Sequence, residues 1–234
     1  MRALLFTGGI FHDFDRMAAA AAGILSTTGL AVEIVTQPSE LVAGLARGRA
    51  DLVVVQGLRW RMLGNEKYDP FRAEWGYAVG ADLKDALTGH AAHGGGILSL
   101  HTGCISFDDW PGWHDLIGGG WVWGQSFHVP GVEPVHVHTV KEHAVTAGVK
   151  PFTVTDEHYR ALAIDPQAVV LAEGTASAGD SYPVAWALGR AGEHGRSVTI
   201  TTGHDVASIT EPNHARLLRQ AAQWAMGCDK GKAA

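Results

Sequence analysis

Four short aliphatic runs, Ala3 to Phe6, Val32 to Val35, Leu52 to Val55 and Ile97 to Leu100, punctuate the first hundred residues, with helix-like stretches between them. Those stretches are Met17 to Thr28, Glu40 to Arg47 and Tyr77 to His90, the last carrying Ala78, Ala81, Leu83, Ala86 and Leu87 among polar residues. Strands that alternate with helices pair in parallel and need cover on both faces, so the pattern predicts an α/β fold around a parallel sheet. The second half differs. Val135 to Val140 alternates as a half-exposed strand, and Val169 to Glu173, Pro183 to Leu188 and Ser197 to Thr201 follow, separated by Gly-rich turns. These predict a mixed or antiparallel extension of the sheet. Asn213 to Met226 reads as a closing amphipathic helix with Leu217, Leu218, Ala221, Ala222 and Trp224 inward and Arg216, Arg219 and Gln220 outward. A chain of 234 residues that is 46% hydrophobic and 18% charged can bury one sizeable core, so a single domain over 1–234 is expected.

Several function classes are disfavoured. The net charge is −6 and the 18 Lys and Arg residues are scattered, which leaves no electrostatic footprint for nucleic acid. The two cysteines, Cys104 and Cys228, make neither a disulfide framework nor a metal-type spacing, a usage that fits a reducing cytoplasm. Ala3 to Phe6 is too short for a signal-peptide core, and Met17 to Leu25, interrupted by Gly23, is far short of a membrane span. A cytoplasmic protein with no membrane partner is expected.

In open α/β sheets ligands bind beyond the carboxyl ends of the strands. Gly8 to Phe14, Gly57 to Leu63 and His101 to Gly103 should therefore surround one cleft. The frame Ser99-Leu100-His101-Thr102-Gly103 has the form of a nucleophile elbow, a strand that turns sharply into a helix, but it carries an imidazole in place of Ser or Cys. An imidazole suits proton transfer or metal ligation, and the N-terminus of a following helix should keep the ring neutral. His204, in Thr201-Thr202-Gly203-His204-Asp205, lies past another strand end, and His12 lies past the first. His128 and His158 complete the candidates among 13 histidines. Asp156-Glu157-His158-Tyr159 is costly to bury unpaired; strand alternation would turn either Asp156 and His158 or Glu157 and Tyr159 to the cleft. The segments Gly57 to Trp75 and Asp108 to Gly131 read as long loops, and in them Trp60, Trp110, Trp113, Trp121 and Trp123 can cover a sugar ring or simply pack. Cys104, three residues past the turn, is the remaining nucleophile candidate.

From Gly94 to Trp224 the chain resembles the ThuA-like, or trehalose-utilisation, family of the class I glutamine amidotransferase-like superfamily. The matching blocks are Gly95 to His101, Leu116-Ile117-Gly118-Gly119 with Phe127-His128, His143 to Gly148, Asp156 to Tyr159, Pro183 to Trp186, Gly195 to Val198, Gly203-His204 and Trp224. Gly8-Gly9 and His12 match more loosely. Trp121 to Gln125 is inserted before Phe127-His128, and Ala144 stands where proline is usual. The resemblance implies a flavodoxin-like three-layer sandwich with a mostly parallel central sheet, glutaminase chemistry lost, and a role in using disaccharides, notably 3-keto-glycosides. It implies His101, Asp156, Glu157 and His204 as catalytic residues, with His128 and, more loosely, His12 at the site.

The expected function is acid-base chemistry on a (3-keto-)glycoside as isomerase, lyase or hydrolase. His12, His128, Trp60, Trp121, Trp123 and Tyr159 are expected to bind the sugar. A divalent metal, zinc or manganese, is the one cofactor considered, with His12, His101, His128 and His204 as candidate ligands. The alternatives are a non-catalytic sugar-binding or sensing module and a working amidotransferase or hydrolase using Cys104. The partner expected is a small-molecule sugar, with homo-oligomerisation left open.

Overall fold

The computed structural model describes residues 1–176, 179–189 and 195–228. Strands β1 (Arg2–Phe6), β2 (Ala31–Val35), β3 (Leu52–Val55) and β4 (Gly96–Leu100) coincide with the four aliphatic runs. The later strands are β5 (Gly119–Gly120), β6 (Glu133–Thr139), β7 (Phe152–Asp156), β8 (Ala163–Ile164), β9 (Val169–Ala176), β10 (Ser181–Leu188) and β11 (Ser197–Ile200). Helices α1 (Phe14–Ser26), α2 (Pro38–Ala46), α3 (Asp69–Trp75), α4 (Ala81–Ala92), α5 (Pro111–Ile117), α6 (Val206–Thr210) and α7 (Pro212–Ala225) lie between and after them.

Nine strands form one sheet in the order β2-β1-β3-β4-β11-β10-β9-β6-β7, while β5 and β8 pair separately. The first five are mutually parallel. Counted along that parallel region their order is 2-1-3-4-5, the flavodoxin-like arrangement, with its switch point between β1 and β3. From β10 onward every pairing is antiparallel.

Alternation along the buried strands builds the three layers. Ala3, Leu5, Val54, Leu98 and Ile200 face α1 and α7, whereas Leu4, Phe6, Val53, Val55 and Ile97 face α2, α4 and α5. Each Val, Leu, Ile or Phe side chain among them contributes about 1.5 to 3 kcal/mol by leaving water. The extension is covered on one face: Val135 and Val137 are buried, while His136 between them is exposed. Asp13 caps α1 by accepting from Arg16 N, and Glu211 caps α7 by accepting from Asn213 N and His214 N. In α7 the inward face is Leu217, Leu218, Ala221, Ala222 and Ala225; Trp224, expected there, is half-buried under the Arg196 guanidinium.

Two expectations about the loops are corrected. Gly57 to Trp75 contains α3, preceded by a 3-10 turn at Glu66–Tyr68, and Asp108 to Gly131 contains α5. Both helices have seven residues and a proline in the first turn, so neither is long enough to display a periodic apolar face. Nor does a full helix follow the elbow. His101–Cys104 is a four-residue 3-10 turn, so no macrodipole of the expected size acts on His101. No helix among the described residues is long and apolar enough to cross a membrane.

The elbow depends on backbone proximity. His101 sits at φ +48°, a left-handed conformation unusual outside glycine, and a Cβ at Gly103 would run into the Val55 carbonyl of the neighbouring strand. Gly103→Ala should therefore lower unfolding free energy by about 2 to 4 kcal/mol, read by urea denaturation. Gly23→Ala, within α1 where a Cβ meets nothing, should raise it by about 0.5 to 1 kcal/mol. Equal stabilities for the two variants would contradict this account of the elbow.

Candidate active site

The ends of three parallel strands and one antiparallel strand deliver the site. His12 lies in the loop after β1, His101 follows β4, His204 follows β11, and Glu157 follows β7. One ligand atom from each of these four residues falls within 4.8 Å of all the others. His101 is fully buried and the other three are partly buried.

Hydrogen bonds fix the two central imidazoles. His101 Nδ1 lies 2.7 Å from the Thr201 carbonyl, and His12 Nδ1 lies 3.2 Å from the Ile10 carbonyl. A carbonyl only accepts, so both Nδ1 atoms carry a proton and both rings turn Nε2 inward. Those Nε2 atoms stand 3.1 Å apart. At that distance the two nitrogens share a proton or a metal cation. Glu157 Oε2 approaches His12 Nε2 at 3.5 Å, His101 Nε2 at 3.7 Å and His204 Nδ1 at 3.7 Å, and His204 Nδ1 is buried without a hydrogen-bond partner.

The charges follow this geometry. Burial alone would raise the Glu157 carboxyl, but His101, His12 and His204 around it outweigh that and hold it well below the usual carboxylate range. Burial lowers the pKa of His12, aided by His101 beside it, whereas contact with Glu157 raises that of His204. Tyr159 closes the group, its hydroxyl 3.0 Å from His101 Nε2 and 3.2 Å from Glu157 Oε2. Burial pushes this phenol well above its ordinary value, followed by the Glu157 charge, so it keeps its proton.

Of the two possible faces of the Asp156 to Tyr159 segment, Glu157 and Tyr159 meet the imidazoles. Asp156 is fully buried behind them. Its Oδ2 accepts from Gly203 N at 2.7 Å and His204 N at 3.2 Å, and its Oδ1 lies 3.7 Å from His101 Nδ1. It therefore braces the Gly203-His204 turn, where Gly203 has φ +115°. His158 points elsewhere, buried beside Tyr182 and with neither ring nitrogen hydrogen-bonded.

His128, a candidate metal ligand from sequence, is not in the converging set among the described residues; Glu157 takes that place. An antiparallel bridge between Phe127 and Arg160 holds His128 nearby, its ring 5.9 Å from Tyr159 and 6.2 Å from Trp121, with Nδ1 2.8 Å from the Val129 carbonyl. The tryptophans divide. Trp121 packs edge-on to Tyr159 at 5.5 Å and to Trp123 at 5.9 Å. Trp123 is 41% exposed and stacks on Trp60, which is buried beneath it. Trp113 is core, and its indole N–H donates to the Gly103 carbonyl at 2.9 Å, supporting the elbow. Trp110 stacks on Trp113. Burial pushes the Cys104 thiol up to about 12, leaving it protonated and unreactive.

Sequence reasoning missed the Thr201 and Ile10 carbonyls that set the imidazole tautomers. Their side chains carry no signal of that role, because any residue there supplies the same carbonyl.

Two solved ThuA-like proteins share the architecture: one from Parabacteroides merdae (TM-score 0.75, 17% identity, 97% of this chain and 90% of that one covered) and one from Bacteroides uniformis (TM-score 0.69, 16% identity, 96% and 91%). A cytoplasmic protein from Salmonella typhimurium is similar over 95% of this chain and 98% of its own, with TM-score 0.63 and 14% identity. At these identities the likeness is one of fold. No curated protein matches the chain. The family model for ThuA, described as trehalose utilisation, matches residues 2–225, and the chain belongs to that family.

Proposed function

We propose that this protein is a cytoplasmic enzyme of carbohydrate metabolism that acts on a keto-sugar or 3-keto-glycoside at the His12, His101, Glu157 and His204 cluster, with a divalent cation bound there. Family membership suggests a role related to trehalose utilisation. The observation that carries the finer reading is the convergence of three imidazole nitrogens and a carboxylate oxygen on one point.

The residues fit a cation. The orphaned Nδ1 of His204 and the facing Nε2 atoms of His12 and His101 need a positive charge between them, and nitrogen with carboxylate oxygen is a donor set that zinc and manganese accept. A bound divalent ion would stabilise negative charge developing on a substrate carbonyl oxygen.

A ketone acidifies the neighbouring C–H. In a 3-keto-glycoside, loss of the C2 proton sends its electron pair toward the C3 oxygen. Return of that pair expels the glycosidic oxygen from C1, leaving a C1–C2 double bond and an oxygen that takes up a proton; alternatively the C2 hydroxyl loses its proton, C2 becomes the carbonyl and the C2–C3 pair takes a proton at C3. Glu157 stands in the cluster with a second oxygen besides the one turned on the imidazoles, and that oxygen is placed to accept the C2 proton. Tyr159 retains its proton and donates to a substrate oxygen beside the cluster. Asp156 keeps His204 in place, and Trp121 and Trp123 offer apolar faces to the pyranose.

His101→Ala should keep its circular dichroism spectrum and lose turnover of a 3-keto-disaccharide by at least about 10²-fold. Full activity in that variant would sink the proposal, as would sugar binding by the wild type without any turnover. The buried thiol gives a second test. Iodoacetamide at neutral pH should modify the exposed Cys228 and leave both Cys104 and activity intact; alkylation of Cys104 in the folded protein with loss of turnover would point to cysteine chemistry instead.

A further inference from the structure

The residue before His12 is strained, and burial does not hold it. Five described non-glycine residues have positive φ: Phe11, Met62, His101, Phe107 and Ala161. Met62, His101 and Phe107 are sealed in the core and Ala161 is half-buried, whereas Phe11, at φ +72°, is 59% exposed. A bulky side chain in the left-handed region is a steric outlier that persists only where its surroundings enforce it. For Phe11 those surroundings are two rings from the segment between β3 and α4. Phe71 of α3 meets the Phe11 ring edge-on at 5.5 Å, and Tyr68, in the 3-10 turn before α3, lies 6.4 Å away. Both supports are fixed in turn. Tyr68 packs at right angles to Trp60 at 5.1 Å, and Arg72 Nη2 ties α3 to the Met62 carbonyl at 2.8 Å.

The strained bond lies between the two ends of a hydrogen bond that the site uses. The φ angle of Phe11 is rotation about its N–Cα bond, directly after the peptide that carries the Ile10 carbonyl. Turned positive, it folds the chain back so that His12 Nδ1 reaches that carbonyl at 3.2 Å. The contact aims the other ring nitrogen, Nε2, at His101 Nε2, 3.1 Å away, and at Glu157 Oε2, 3.5 Å away.

We infer that Phe11 is a positioning residue for His12, and that Phe71 acts on the cluster through Phe11. The segment Glu66–Trp75 carries none of the four converging side chains, yet through this ring pair it sets whether one of them faces inward. The consequence for catalysis rests on the reading of the cluster as the reaction centre; the positioning itself does not.

Diethylpyrocarbonate acylates accessible imidazole nitrogens, so its rate at each histidine, followed by peptide mass spectrometry without added metal, reads where His12 sits. The wild type is compared with Phe11→Ala, Phe71→Ala and Phe11→Tyr. The His12 side chain is 3% exposed, and the wild type should react slowly there. Each alanine variant should raise the His12 rate about tenfold or more, the factor that lost support for one strained residue allows. Phe11→Tyr keeps the ring and should match the wild type. His214, fully buried in α7, should stay protected in every variant. Unchanged His12 reactivity in both alanine variants overturns the inference, and so does a parallel rise at His214, which marks general loosening. Zinc titrated by calorimetry should bind both alanine variants about tenfold more weakly than the wild type. A wild type that binds no zinc removes the reading of the cluster as a cation site, and the His12 reactivity pattern still decides the positioning.

Discussion

The hydrogen bond between His101 Nδ1 and the Thr201 carbonyl ties the end of β4 to the segment leaving β11 and decides the chemistry of the site. It places a ring proton on Nδ1 and turns Nε2 inward to the cluster. The left-handed backbone of His101, the close approach of Gly103 to Val55 and the Trp113 indole on the Gly103 carbonyl all hold the ring where that bond can form. Asp156, buried with one oxygen on the Gly203 and His204 amides, fixes the opposite wall. The cost of desolvating two carboxylates is offset by backbone N–H groups for Asp156 and by imidazoles for Glu157.

An elbow built for a nucleophile needs a side chain projecting over the sheet edge beside hydrogen-bond donors. Here the projecting group is an imidazole whose neighbours are two more imidazoles and a carboxylate. Such a group could hold a cation, which in the proposed reaction would stabilise a developing negative charge, where a serine or cysteine would form a covalent bond. The nearby thiol of Cys104 is sealed in the core beneath the turn.

The parallel half of the fold was legible because strands buried on both faces must be continuously apolar, and β3 spans the same residues as its aliphatic run, Leu52 to Val55. His12, His101 and His204 were legible for a related reason: each follows a parallel strand, and the carboxyl edge of such a sheet is where its loops converge. Glu157 was harder. It follows β7, the last strand in the sheet order, yet Asp156 at the end of β7 bonds to Gly203 just past β11. The antiparallel extension must therefore curl back over the carboxyl edge, a consequence of accumulated sheet twist that no local pattern encodes. Alternation alone could not say which face of Asp156 to Tyr159 pointed inward, since both faces are buried. The same limit applies to the tryptophans: Trp113 and Trp123 look alike in sequence, and α5 sends the first into the core.

The central claim is that three imidazoles and Glu157 hold a divalent cation. Metal analysis by mass spectrometry after loading with zinc or manganese and exhaustive desalting tests it most directly, with Glu157→Gln and His204→Ala alongside the wild type. The account predicts about one ion per wild-type chain and a marked loss in both variants. A wild type that retains no more than trace metal, or variants that retain as much as the wild type, would contradict it.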